Sequence, residues 1–149
     1  MCILFSKHPT AVLPGDKMLN ACLWLAQLFL AFLSGWTGIL LLTMTTAQLM
    51  LHGFQYAFDL PSWLVKFIGL SELCGAAGLI LPGVTRIAPW LIPAAATGLL
   101  ALQTCAIFFN IMQHAFYHYI LLHLVLMLPA MFIAWGREDK LPIPSRHAQ

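Results

Sequence analysis

The chain has 149 residues, of which 61% are hydrophobic and only 8% are charged. Soluble domains contain about 45–50% apolar and about 25% charged residues, so this composition excludes an ordinary soluble domain. The net charge of +2 is too small to indicate a nucleic-acid partner. We therefore predict a single membrane domain over residues 1–149, with the lipid bilayer as its first partner.

Four apolar segments are each long enough to cross about 30 Å of hydrocarbon as a helix. Proline residues suit the starts of the second and third segments, and Pro82-Gly83 is predicted to end the second. The sequence thus predicts an all-α membrane protein, a four-transmembrane-helix up-down bundle with tails 1–17 and 136–149. The predicted helices span residues 18–44, 63–81, 89–109 and 117–135.

The basic residues indicate how these helices are oriented. Lys66 lies near one side of the four-span arrangement, and all the other basic residues considered lie on the opposite side. By the positive-inside rule, both termini are expected in the cytoplasm and the protein in the cell or inner membrane. Segment 45–62 then faces the other side, either as a short amphipathic piece on the membrane surface or as an ordinary linker. The basic residues on the cytoplasmic side are Lys7, Lys17, Arg86, Arg137, Lys140 and Arg146.

Small residues recur at helical spacing on three of the helices. Such faces let membrane helices approach closely, where packing replaces the hydrophobic drive. The glycines predicted to mediate helix packing are Gly35, Gly38, Gly75, Gly78 and Gly98.

Glu72 lies in the middle of the second apolar segment. A carboxylate at such a depth costs about 2.5–3.5 kcal/mol on insertion scales, so it needs a partner, a proton or a function. Helical rise places it about 13 Å from the non-cytoplasmic end, and Gln103 and His123 about 9 Å from it. Ser34 and Thr37 of the first helix lie at a similar depth, about 10–15 Å.

Two interpretations of this polar layer stay open. The five residues can hydrogen-bond one another and hold the bundle together, as interhelical bonds commonly do. Alternatively, they line a ligand-binding pocket for a small polar head group, such as that of a bound quinone or lipid. His114 and His118 are weak candidates for a metal pair, and no other metal site is predicted. No nucleophile–base pair, phosphate loop or flavin fingerprint indicates catalytic residues, so an autonomous enzyme is not expected.

Several stretches resemble the DoxX and DoxX-like family of integral membrane proteins. The clearest are KFIGLSELCGAAGLILP at 66–82 and TRIAPWL at 85–91, with weaker likeness at LWLAQ (23–27) and AWGR (134–137). The resemblance implies a four-helix membrane bundle, in which Glu72 matches a family glutamate and Gly75 and Gly78 match packing positions. Some relatives are subunits of a thiosulfate:quinone oxidoreductase, and others are linked to redox complexes or to membrane-protein assembly.

Three functions follow as hypotheses. The first is an accessory subunit of a quinone-linked membrane redox (oxidoreductase) complex, with a polar pocket around Glu72. The second is a non-catalytic interaction or assembly protein, and the third is a small-molecule transporter subunit. A protein partner or a homo-oligomer is also expected.

Overall fold

A computed structural model of the protein describes residues 14–54, 56–113 and 117–144. Within this part of the chain all regular secondary structure is helical, and four helices are long and apolar enough to cross a membrane. This confirms the predicted all-α, four-span fold. In chain order the α-helices are α1 (Pro14–Thr43), α2 (Thr46–Leu51), α3 (Tyr56–Asp59), α4 (Ser62–Thr85), α5 (Leu91–Met112) and α6 (Tyr117–Trp135).

The four long helices form a closed ring in which α1 contacts α4, α4 contacts α5, α5 contacts α6, and α6 contacts α1. Large apolar side chains on the outside of the ring are exposed, among them Phe32, Trp36 and Leu128. Since lipid tails are as apolar as these side chains, the exposed faces suit contact with lipid.

The bundle has two ends with different structures. We call the end with the C-terminus of α1 and the N-terminus of α4 the Tyr56 end, and the opposite one the Arg137 end. At the Tyr56 end, Leu49 of α2 and Ala57 of α3 are buried in one apolar cluster with Leu40, Leu41 and Val65. Segment 45–62 therefore packs onto the bundle through these side chains. Neither predicted alternative, an amphipathic piece on the membrane surface or an ordinary linker, included this packing.

Lys66 explains how α1 ends at this point. Its Nζ donates hydrogen bonds to the backbone oxygens of Leu41, Leu42 and Met44, at 3.0, 2.7 and 3.2 Å. The last carbonyls of a helix have no partner within the helix and carry partial negative charge, so a lysine there is favourable. The basic residue that departs from the charge pattern thus has a structural role.

Glycines set the closest approaches between helices. A Cβ atom added to Gly38 would lie 2.7 Å from the backbone oxygen of Gly69, and one on Gly75 would lie 2.6 Å from Leu99 Cδ2. At Gly78 it would lie 2.8 Å from Ala95 Cβ, whereas at Gly35 it would make an ordinary contact of 3.7 Å with Ala76.

Gly98 does not pack as expected. An added Cβ there meets nothing within 4 Å in the described structure, and the residue is exposed. This face of α5 points outward, where it can contact lipid and not a neighbouring helix.

Two helix ends also differ from the predictions. Helix α4 continues through Pro82 and Gly83 to Thr85 and is ended by Arg86, whose left-handed backbone has φ 58°. Membrane helices tolerate internal proline, and Gln27 Nε2 donates to Leu79 O at 2.8 Å, three residues before Pro82. After α6, the chain continues as a π-helical turn, Gly136–Lys140, although a tail was expected there.

Candidate functional site

A cavity of about 370 Å³ lies at the Tyr56 end of the bundle. All four long helices line it, together with Phe54, Tyr56 and Leu60 of the segment between α1 and α4. Most of its wall is aliphatic or aromatic, and a few polar side chains converge inside. Apolar cavities with a small number of placed polar groups are typical of binding sites for small molecules.

Three of these polar side chains form a chain of hydrogen bonds across three helices. Gln103 of α5 is in the middle: its Nε2 donates to Glu72 Oε1 of α4 over a long 3.5 Å. Its Oε1 accepts a short hydrogen bond from His123 Nδ1 of α6. Because an amide oxygen only accepts, the Nδ1 atom carries the hydrogen and Nε2 is the ring atom of His123 left to meet a ligand.

Glu72 is almost fully buried, since only 6% of its surface is exposed. Its Oε2 is buried and has no hydrogen-bond partner in the described structure. The Ser34 hydroxyl of α1 is a further neighbour of the carboxyl group. Buried polar atoms are nearly always paired in native proteins, so an unpaired carboxyl oxygen in a cavity wall indicates a place for an additional partner.

Tyr56 covers the cavity from the end of the bundle. Burial raises the pKa of its phenol, and the nearby charge of Glu72 raises it further. Tyr56 therefore stays a neutral hydroxyl at physiological pH, able both to donate and to accept a hydrogen bond. The Phe54 ring packs edge-on against it, with ring centroids 6.0 Å apart.

The five residues predicted from the sequence to bind a ligand, Ser34, Thr37, Glu72, Gln103 and His123, all line this cavity. Their predicted depths along the four helices are similar, which is consistent with their position in one cavity. Sequence reasoning did not single out Tyr56 and Asn110, which also line it. Asn110 is a polar residue at the end of an apolar helix. This position was a signal that could have added Asn110 to the predicted ligand-binding residues.

The two weak metal candidates cannot be placed. His114 lies outside the described residues, as does the side chain of His118. In the part of the chain that is described, no group of three or more His, Cys, Asp or Glu side chains could hold a metal ion.

A second polar cluster, which the sequence analysis did not predict, occupies the Arg137 end. The Arg137 side chain is 96% buried, and its Nε and Nη1 donate to Gln27 Oε1 and Asn20 Oδ1 at 3.0 and 2.8 Å. Its Nη1 also donates to Leu141 O at 3.3 Å, and the guanidinium lies 5.5 Å from the Trp24 ring centroid. These contacts fasten the π-helical turn to α1. The seven-residue spacing of Asn20 and Gln27 on one helix face was the available signal.

Comparison with known proteins gives one family. Residues 25–133 match the model of the DoxX-like family. Curated proteins and solved structures give no match. The match covers α4 and α5 in full and most of α1 and α6, and it includes Gln27, Glu72, Gln103 and His123. With its four membrane-spanning helices, the chain belongs to the DoxX-like family of integral membrane proteins.

Proposed function

We propose that this protein is an accessory subunit of a quinone-linked membrane redox complex, and that the cavity at the Tyr56 end holds the quinone head group. The observation that carries the proposal is the buried, unpartnered Oε2 of Glu72 in the wall of a mostly apolar cavity. The head group of a quinone is an apolar ring with a few polar substituents. The ring suits the apolar wall of the cavity, and the substituents suit its polar side chains.

The polar groups suit both oxidation states of a quinone. A quinone carbonyl only accepts hydrogen bonds, and the Tyr56 hydroxyl or a protonated Glu72 can donate one. A hydroquinone hydroxyl can donate, and ionised Glu72 or the Nε2 atom of neutral His123 can accept. In this proposal the chain binds and orients the head group, and a protein partner supplies the redox cofactor.

The proposed orientation places both termini in the cytoplasm and the cavity toward the opposite face of the inner membrane. Arg86 and Lys140 are exposed at the Arg137 end, while Lys66 at the Tyr56 end bonds to the carbonyls of α1. Fusion of a fluorescent protein, which matures in the cytoplasm, to the C-terminus should give a signal. A C-terminal alkaline phosphatase fusion should be inactive, and the reverse pattern would invert the assignment.

Lipid extraction from the purified protein tests the ligand. We expect a quinone to copurify with the wild type, and the recovered amount to fall at least tenfold in Glu72→Leu. Thr104→Val is the matched control, because Thr104 neighbours Gln103 on α5 but is exposed and lies outside the cavity wall. Absence of quinone from the wild type, with unchanged activity of the host complex in Glu72→Gln, would contradict the proposal.

A further inference from the structure

Backbone contact closes the seam between α1 and α4 near the Tyr56 end. Gly38 and Gly69 face each other there: an added Cβ on Gly69 would lie 2.8 Å from Leu41 Cβ and 3.1 Å from the Gly38 backbone oxygen. No side chain larger than hydrogen fits between the helices at this level. A ligand therefore has no path between α1 and α4 at this level.

The seam between α4 and α5 is closed at the other end. The close contacts there are Gly75 with Leu99 and Gly78 with Ala95, both on the Arg137 side of Glu72. On the Tyr56 side of Glu72, the α4 residues Phe67 and Ile68 and the α5 residues Cys105, Ala106 and Phe109 all line the cavity. Helices α4 and α5 thus meet closely on one side of Glu72 and border the cavity on the other.

The end of the bundle is covered, whereas its side is not. Phe54, Tyr56 and Leu60 form the cavity wall at the end, held by the buried Leu49 and Ala57. Phe67 of α4 and Cys105 of α5, on the two sides of the α4–α5 seam, belong in contrast both to the cavity wall and to the outer surface, as does Leu122 of α6. The exposed fraction of Phe67 is 58%. This outer surface is the one that contacts lipid.

We infer that the cavity opens laterally to the bilayer between α4 and α5, flanked by Phe67 and Cys105. Its ligand is then a membrane-dissolved amphiphile whose polar head reaches Glu72 and whose apolar tail leaves between these two helices. The identity of the head group rests on the proposed function, whereas the route of access rests on the packing of α4 against α5 and on the exposure of Phe67 and Cys105. A water-soluble ligand would need a path along the bundle axis, where Tyr56 lies.

Thiol labelling in proteoliposomes tests the route without any ligand. Ala106→Cys, in a chain whose four native cysteines are replaced by alanine, places a thiol in the cavity wall. Ser62→Cys in the same background is the control, because Ser62 is exposed at the Tyr56 end. For each reagent, the labelling rate of Ala106→Cys is divided by that of Ser62→Cys. We expect this ratio to be at least tenfold higher for lipid-soluble phenylmaleimide than for a charged methanethiosulfonate. Equal relative rates would overturn the inference.

Changes to the two flanking residues give a second measurement. When Cys105→Trp takes the place of Cys105→Ala in this background, labelling of Ala106→Cys by phenylmaleimide should slow at least fivefold, and Phe67→Ala should accelerate it. Thr104→Trp adds the same bulk to the exposed face of α5 outside the cavity wall and should leave the rate unchanged. If Cys105→Trp and Thr104→Trp act alike, the opening is not where we place it.

Binding of decyl-ubiquinone separates this inference from the proposed function. Cys105→Trp should slow association at least fivefold, whereas Glu72→Leu should raise Kd chiefly by accelerating dissociation. If decyl-ubiquinone does not bind but the labelling pattern holds, the lateral opening stands and the quinone assignment fails. If it binds with rates insensitive to Cys105→Trp, the lateral opening fails and the quinone assignment stands.

Discussion

Arg137 Nε donates a 3.0 Å hydrogen bond to Gln27 Oε1, which joins two residues 110 positions apart. The same amide donates through Nε2 to Leu79 O, so Gln27 connects α1, α4 and the turn after α6. A single glutamine therefore ties three separate parts of the chain at the Arg137 end. Loss of either partner leaves the other with an unpaired polar group in the interior.

Arg137→Ala should lower the free energy of unfolding by about 2–3 kcal/mol, the range for buried hydrogen bonds to a charged group. Arg137→Lys should recover only part of this, because an ammonium lacks the planar fork that reaches two amide oxygens. Thermal unfolding in detergent measures the effect. Lys17→Ala, at an exposed basic residue of the same end, is the control. Equal stability of the arginine variant and this control would show that the cluster is dispensable.

Gly38→Ala should destabilise the bundle, because the added methyl group meets the backbone oxygen of Gly69, which cannot rotate away. Over-packing of this kind costs about 1–3 kcal/mol. Gly98→Ala is the matched control, since the position is helical and open, and it should be neutral or slightly stabilising. The thermal midpoints of the two variants in detergent give the comparison. A lower midpoint for Gly98→Ala than for Gly38→Ala would contradict the packing described.

This pair of glycines shows what the sequence could and could not predict. Helical spacing identified small residues on α1, α4 and α5, but it could not tell a face against protein from a face against lipid. In a bilayer both environments are apolar, so the pattern that separates core from surface in a soluble protein is missing. Glu72, Gln103 and His123 were predictable together because polar groups in lipid must face inward and helical rise fixes their depth.

The partners of Arg137 were missed for a different reason. Arg137 follows the last apolar segment, where a basic residue is expected to face water or lipid head groups. Its side chain instead lies in the interior against α1, where Gln27 and Asn20 accept its hydrogen bonds. Contacts across 110 residues depend on the assembled bundle, which the order of residues alone does not specify.

Lys66→Met should weaken the junction between α1 and α2 by removing three hydrogen bonds to helix-end carbonyls. The expected loss of stability is modest, about 0.5–1 kcal/mol, because the lysine is exposed and a charge at a helix end contributes about that much. Hydrogen exchange should reveal it more clearly, as faster exchange of amides near Met44 with unchanged rates near Arg137. Uniform acceleration over the whole chain would indicate global unfolding instead.

Tyr56→Phe should change how stability depends on alkaline pH. Burial raises the pKa of this phenol in the folded protein, whereas in the unfolded chain it ionises near its ordinary pKa of about 10. Stability due to the neutral phenol is therefore complete below about pH 10 and is lost as the pH rises further, since only the unfolded state can release the proton. The thermal midpoint of the wild type should fall more steeply from pH 9.5 to 11 than that of Tyr56→Phe. Parallel curves would mean that Tyr56 is not shielded from water.

Gln103→Leu tests the hydrogen-bond chain in the cavity. The substitution removes the amide between Glu72 and His123 while keeping an apolar side chain of similar size. Both neighbours then lose their partner on α5, so we expect at least a tenfold rise in the Kd of a bound quinone, equivalent to about 1.4 kcal/mol. Thr104→Leu alters the adjacent, exposed position of the same helix and should leave Kd unchanged. If Gln103→Leu binds as tightly as the wild type, Gln103 neither orients Glu72 nor contacts the ligand, and the polar chain serves only to hold the helices together.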